Sequence, residues 1–169
     1  KNAKLKAIKT WSPIKNPRVY SFSLLSGFSC PGAEDCQTYA IVNKKTGKRE
    51  ILEGKKTIFR CFSANQEAQY NDTYNQRKFN FDLLQKKSFN ELLNLIFKSI
   101  PQNADYIRVH VGGDFFSKDY MEAWYWAARY YKNTQFWAYT KSINWMHELE
   151  GSRPSNFSMN ASRGSKHDT

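Results

Sequence analysis

The sequence predicts an α/β protein: a mostly parallel sheet with alternating helices, forming a partial or incomplete (β/α) barrel with an inserted basic β-hairpin. Three observations carry this. Short apolar runs of strand character alternate with longer runs of helical period through the C-terminal half. The strand-like runs end in small or reactive residues, as ligand-binding strand ends do in such sheets. Finally, 40% of the 169 residues are hydrophobic and 16% aromatic, enough for one buried core without disulfide staples. A single domain over residues 1–169 is expected, with residues 37–60 as the hairpin insertion.

Residues 1–9 form a basic lead-in of little periodicity, and Trp11-Ser12-Pro13 followed by Pro17 predicts an extended, turn-prone entry rather than a helix. Residues 19–25 read as the first strand, which passes through Gly27 into a loop at Cys30-Pro31-Gly32. Two β-like runs, 39–43 and 48–52, flank Lys44-Lys45-Thr46-Gly47 and predict a hairpin that returns Cys61 toward Cys36. Residues 57–62 read as a further strand, and the polar stretch 64–85 carries apolar residues at helical intervals.

Ser88 with Glu91 three residues later is a capping box, and Phe89, Leu92, Leu93, Ile96, Phe97 and Ile100 trace one helical face that Pro101 ends. Residues 106–111 then predict a strand ending in Gly112-Gly113. Helix over 117–131 follows, with Tyr120, Ala123, Trp124, Ala127 and Ala128 facing inward. Strand at 136–139, a short helix at 143–149 and strand at 157–161 complete the alternation. The pattern stops at a strand without its covering helix, so further elements beyond Thr169 are expected; a full barrel needs roughly 250 residues.

The net charge of +11 is uneven: residues 1–60 hold 13 Lys and Arg against 4 Asp and Glu, while the remainder carries 13 against 11. A basic N-terminal third suits phosphate-bearing partners such as nucleic acid, with Trp11, Tyr20, Phe22, Phe28 and Phe59 as stacking rings; a solvated surface and ordinary strand packing explain the same residues. No apolar run long enough for a membrane span and no secretory leader is visible, so a cytoplasmic setting with reduced thiols is expected.

In that setting the three cysteines are better ligands or free thiols than a disulfide framework. Five residues, including Pro31 and Gly32, separate Cys30 from Cys36, and 24 separate Cys36 from Cys61. Thiolates are soft ligands for zinc and iron-sulfur clusters, and three of them leave one coordination position open. The plainer alternative is that each is a small buried hydrophobe. Residues 108–116 read RVHVGGDFF: Gly112 and Gly113 permit close backbone approach to a ligand, and Asp114 is either a ligand acceptor or the cap of the next helix. His110 between two valines reads as a core histidine. Lys141, just past the strand FWAYTKS, is a candidate for proton transfer or anion pairing, or a surface lysine. Residues 162–168 offer anion donors without a complete nucleophile triad.

Taken together, TWSP at 10–13, CPGAEDC at 30–36, FRCFSANQEA at 59–68, HVGGDFFS at 110–117, FWAYTKS at 136–142 and NASRGSKHD at 160–168 resemble a bacteriophage family, gene product eighty-eight, over nearly the whole chain. The order of these segments also resembles radical S-adenosylmethionine enzymes, with Cys61-Phe62-Ser63-Ala64 in the place of their Cys-Tyr-Ala element. Their compact Cys-x3-Cys-x2-Cys loop is replaced here by the widely spaced set. That resemblance implies a [4Fe-4S] cluster on Cys30, Cys36 and Cys61, with S-adenosylmethionine on its open iron. It implies Gly112, Gly113 and Asp114 at the cofactor's amino group and Ser162 and Arg163 at its carboxylate or ribose; from their strand-end positions Asp114 and Lys141 are the catalytic candidates, and the expected setting is the host cytoplasm. The alternative is a basic nucleic-acid-binding or host-interacting protein with a structural zinc or free cysteines.

Overall fold

The structure, a computed structural model, describes residues 3–168. Its elements run α1 (Ala3–Trp11), β1 (Val19–Phe22), β2 (Thr38–Val42), β3 (Arg49–Glu53), α2 (Phe62–Gln69), α3 (Asn71–Leu84), α4 (Phe89–Ser99), β4 (Tyr106–Val109), α5 (Lys118–Tyr130), β5 (Gln135–Thr140), α6 (Ile143–Glu148), a 3-10 turn (Glu150–Ser152) and β6 (Phe157–Ala161). The capping box forms as its spacing dictates: the Ser88 side chain and the Glu91 carboxylate each serve the other's backbone, and Leu92 and Ile96 enter the core. Ser117 caps α5 by accepting from the Tyr120 backbone N–H, which sends Tyr120, Ala123, Trp124, Ala127 and Ala128 inward.

Four strands make one open sheet in the order β1-β4-β5-β6, every neighbour parallel, and β2 and β3 form a separate antiparallel hairpin. The sheet is open rather than closed into a barrel. Strand alternation divides its faces. Ile107, Val109, Phe136, Ala138 and Phe157 join Leu92, Ile96, Tyr120 and Trp124 in the main core under α4 and α5. On the opposite face α1 brings buried Ile8 and neighbouring Ala7 beside Tyr106, Trp137 and Tyr139. Between β1 and β4, where a single crossover helix suffices in simpler sheets, this chain inserts the cysteine loop, the hairpin, α2 and α3 before α4.

Three sequence expectations are corrected. The lead-in is helical up to Trp11, while 12–18 is the non-helical, turn-prone entry that Pro13 and Pro17 predict: Lys, Leu and Ala favour helix, and docking Ile8 on the sheet supplies the tertiary support that a weakly periodic segment lacks on its own. Residues 57–62 are not a strand. The backbone N–H groups of Ile58 and Phe59 both donate to the Asp35 carbonyl, folding this segment onto the cysteine loop, and Ile58 is 78% exposed, so its β-branched side chain packs on no sheet. The first strand is shorter than read, because the Leu24 N–H leaves the ladder to bond the Gly112 carbonyl beyond β4.

Candidate functional site

The C-terminal ends of β1, β4, β5 and β6 open into one cavity of about 520 Å³. All nine sequence-predicted site residues line it: Cys30, Cys36, Cys61, Gly112, Gly113, Asp114, Lys141, Ser162 and Arg163. The cysteine loop is held there by backbone bonds. Cys30 N–H donates to the Gly27 carbonyl, the Glu34 and Asp35 N–H groups donate to Gly164 beyond β6, and the Gly32 carbonyl accepts from Lys166 N–H. Cys61 arrives from the other side at the N-terminus of α2, its N–H donating to Thr38 Oγ1 at 3.1 Å. The hairpin therefore does return Cys61 to the cavity that Cys30 and Cys36 share, although by a turn and a helix start rather than a strand.

None of the three thiols is in a disulfide, and each is partly buried. Burial pushes the Cys30 thiol well above its ordinary value, helped by the neighbouring Asp114 and Cys61. Cys36 is also raised by burial, against which the Lys141 ammonium pulls it down. Among the described residues no three His, Cys, Asp or Glu side chains form a group tight enough to hold a single metal ion.

Asp114 ties the ends of β4 and β5 together. Its Oδ1 accepts from Thr140 Oγ1 at 2.6 Å and from Phe115 N–H at 2.7 Å, and its Oδ2 accepts from Lys141 N–H at 2.7 Å. Oδ2 accepts that one bond among the described residues, which leaves it a second acceptor position. Lys141 extends over the Phe59 ring, its Nζ 5.8 Å from the centroid. Gly112 has a steric reason: a Cβ there would stand 2.1 Å from Ser63 Oγ and 2.7 Å from Arg77 Nη1. Gly113 takes φ +78°, where a side chain is strained. Ser162 N–H continues the β5 ladder to the Thr140 carbonyl, and Arg163 is exposed at the rim.

His110 is the core histidine the sequence suggests, with one unforeseen feature: its backbone is left-handed at φ 64°. Its Nε2 lies 3.1 Å from the Tyr120 hydroxyl and its ring packs edge-on to Phe115. Burial drives the His110 ring down to about 3 and the Asp114 carboxyl up to about 6. The two act on stability with opposite sign. Asp114 keeps its proton to higher pH in the folded chain than in the unfolded one, so its contribution is complete below its ordinary value of 3.8 and is lost as pH rises through about 6. His110 stays neutral when folded, so its contribution is complete above 6.5 and is lost as pH falls toward about 3. Between about pH 4 and 6 their slopes, each up to about 1.4 kcal/mol per pH unit, oppose and largely cancel. Urea midpoints measured across this range should therefore fall steeply with acidification in Asp114→Asn and rise in His110→Asn. Profiles parallel to the unsubstituted chain would contradict these protonation states.

Sequence reasoning missed several residues on or behind this wall. Arg108, at the middle of β4, lines the cavity, and buried Ser29 accepts from the Asp114 N–H. Behind Gly112, buried Glu67 and Arg77 form an ion pair at 2.9 Å. A charged residue inside an apolar strand was the available signal for Arg108; nothing local marks the Glu67–Arg77 pair. Of the rings considered for stacking, Phe22 packs on Trp124, Phe28 lies edge-on to Tyr39, Phe59 underlies Lys141 and Tyr20 is half-exposed; the Trp11 side chain lies outside the described residues. Among the described residues no helix is long and apolar enough to cross a membrane.

A family model described as Gene product 88 matches residues 1–169. No curated protein and no solved structure matches the chain.

Proposed function

Because the chain belongs to the Gene product 88 family, and because its own residues build the cavity just described, we propose that it is a cytoplasmic metalloprotein that holds an iron-sulfur cluster on Cys30, Cys36 and Cys61, in the manner of radical S-adenosylmethionine enzymes. The supporting observation is the convergence of three thiols from two separate segments on the strand-end cavity. An iron-sulfur cluster asks less of the thiols' mutual closeness than a single zinc ion does. A cluster takes each thiolate on a different iron and so spaces them widely, whereas tetrahedral zinc needs all its sulfurs within about 2.3 Å of one point.

When bound, such a cluster would supply one electron to a sulfonium cofactor. The rest falls to this chain. The second acceptor position on Asp114 Oδ2 takes an ammonium hydrogen, the backbone at Gly112 and Gly113 allows close approach, and Ser162 with Arg163 donates to a carboxylate. Lys141 favours the Cys36 thiolate by its charge and is the cavity's candidate proton donor. Asp114, bonded to the Lys141 backbone, fixes where that side chain starts.

Anaerobic purification tests this directly. The chain should carry about three to four iron atoms with matching sulfide and a broad visible absorption, and Cys30→Ala, Cys36→Ala and Cys61→Ala should each bleach it. A colourless preparation holding one zinc, or none, would replace this reading with structural or free cysteines.

A further inference from the structure

Arg108 stands on the central strand of the open sheet, beside Ser21 of β1 and Trp137 of β5, with its side chain on the face away from α4 and α5. It is 5% exposed. Its guanidinium carbon lies 5.7 Å from the Tyr139 ring centroid, a contact to the π-face that occupies none of its five N–H donors. The buried Nε has no hydrogen-bond partner, and no acidic side chain among the described residues acts on it. Arg77, the other buried arginine nearby, is instead matched by Glu67. A buried cation without a counter-ion is costly to fold around, so its retention points outward to something the cavity receives.

Its position defines where that something sits. Arg108 belongs to the walls of two cavities, the cysteine cavity and a larger one of about 830 Å³ bounded by β1, α2 and α3. On the cysteine side the wall carries Arg60, Lys141 and Arg163 as well, against Asp114 as the one carboxylate among the described lining residues. Arg60 is compensated by Glu53 at 2.7 Å, and Asp114 is already bonded to Thr140, Phe115 and Lys141. We infer that Arg108 binds the oxyanion of a small anionic ligand, a carboxylate or phosphate, lying where the two cavities meet and reaching from there toward the cysteines. The buried Nε faces protein, so the two Nη groups at the tip present the planar fork of N–H donors that fits two oxygens of such a group. This names a substrate class for the proposed reaction site and rests on that reading only in making the ligand a substrate; the anion site itself needs no cluster.

Calorimetric titration of the full chain with inorganic phosphate, and separately with succinate, should give saturable binding of at least one of them, and which one binds identifies the oxyanion. Arg108→Met and Arg108→Lys should each weaken it by about tenfold or more, since neither presents the fork. Thermal melting separates binding from folding: Arg108→Met, relieved of an uncompensated charge, should melt roughly 2–4 °C higher. A melting point several degrees lower would give the guanidinium a structural partner and overturn the inference, as would binding of neither anion or affinity indifferent to Arg108. Titrations run before and after iron removal keep the two readings apart. Anion binding that survives in a chain found to carry no cluster leaves this site standing and removes the cluster; an iron-loaded chain that ignores both anions does the reverse.

Discussion

Glu67→Ala should lower the stability of the fold by about 3–5 kcal/mol, read as a fall in the urea midpoint at unchanged slope. Glu67 is fully buried, and its carboxylate accepts from the Ser26 N–H and hydroxyl as well as from Arg77 Nη1. Arg77 in turn donates to Ser63 Oγ and to Gln66 Oε1. Removing Glu67 strands a guanidinium and two Ser26 donors in the interior, and the penalty is their desolvation rather than the loss of one attraction. Glu67→Leu combined with Arg77→Leu should accordingly cost much less than the sum of the single replacements. A cost below about 1 kcal/mol for Glu67→Ala would mean that water or a shifted loop satisfies the network. The consequence reaches the site, because Ser26 opens the segment leading to Cys30 while Glu67 sits on the helix that begins at Cys61. This network fixes the relative position of the two cysteine segments, so the variant should also hold less iron if the proposed cluster is present.

How much of this was legible in the sequence depended on how local the cause is. Ser88 and Glu91 make a helix start by themselves, and strand β6 falls on 157–161 as read because its apolar start at Phe157 and its polar continuation are set by the strand's own alternation. The cavity followed from a topological rule: parallel strands deliver their ends to one edge, so Gly112, Asp114, Lys141 and Ser162 had to approach each other once the order of elements was right. What escaped has its cause at long range. Residues 58 and 59 look like strand because they are apolar, yet their backbone is claimed by Asp35, more than twenty positions earlier in the chain. The α1 helix draws its support from the sheet face it covers, and Glu67 and Arg77 lie in a stretch so polar that burial there is visible only after the loop from β1 folds over it. Arg108 was hidden differently. Its neighbours Ile107 and Val109 point into the helix-covered core, so the strand reads as buried, and the sequence does not say that the other face looks into a cavity.

Gly32→Ala should disable the cysteine site as completely as removing a cysteine, while Gly47→Ala should not. An added Cβ at Gly32 would lie 2.2 Å from the Lys141 carbonyl oxygen and 2.5 Å from its carbon. Both are backbone atoms, so no rotamer change relieves the clash. Neither side can move freely: the Lys141 N–H is held by Asp114 and its carbonyl accepts from Ser165 Oγ at 2.8 Å, while the Gly32 carbonyl accepts from Lys166 N–H and Ala33 bridges Ser165. The cysteine loop must therefore lift off the ends of β5 and β6, costing about 1–3 kcal/mol of overpacking and carrying Cys30 and Cys36 away from Cys61. Gly47 is the control. It sits in the exposed hairpin turn at φ +68° with no atom within 4 Å of its added Cβ, so alanine there costs about 1 kcal/mol of backbone strain and leaves the cavity untouched. Iron content after anaerobic purification and the rate at which the thiols react with an aromatic disulfide reagent should separate the two: low iron and faster labelling for Gly32→Ala, values like those of the unsubstituted chain for Gly47→Ala. Full iron retention in Gly32→Ala would show that the contact between this loop and Lys141 does not set the cysteine geometry.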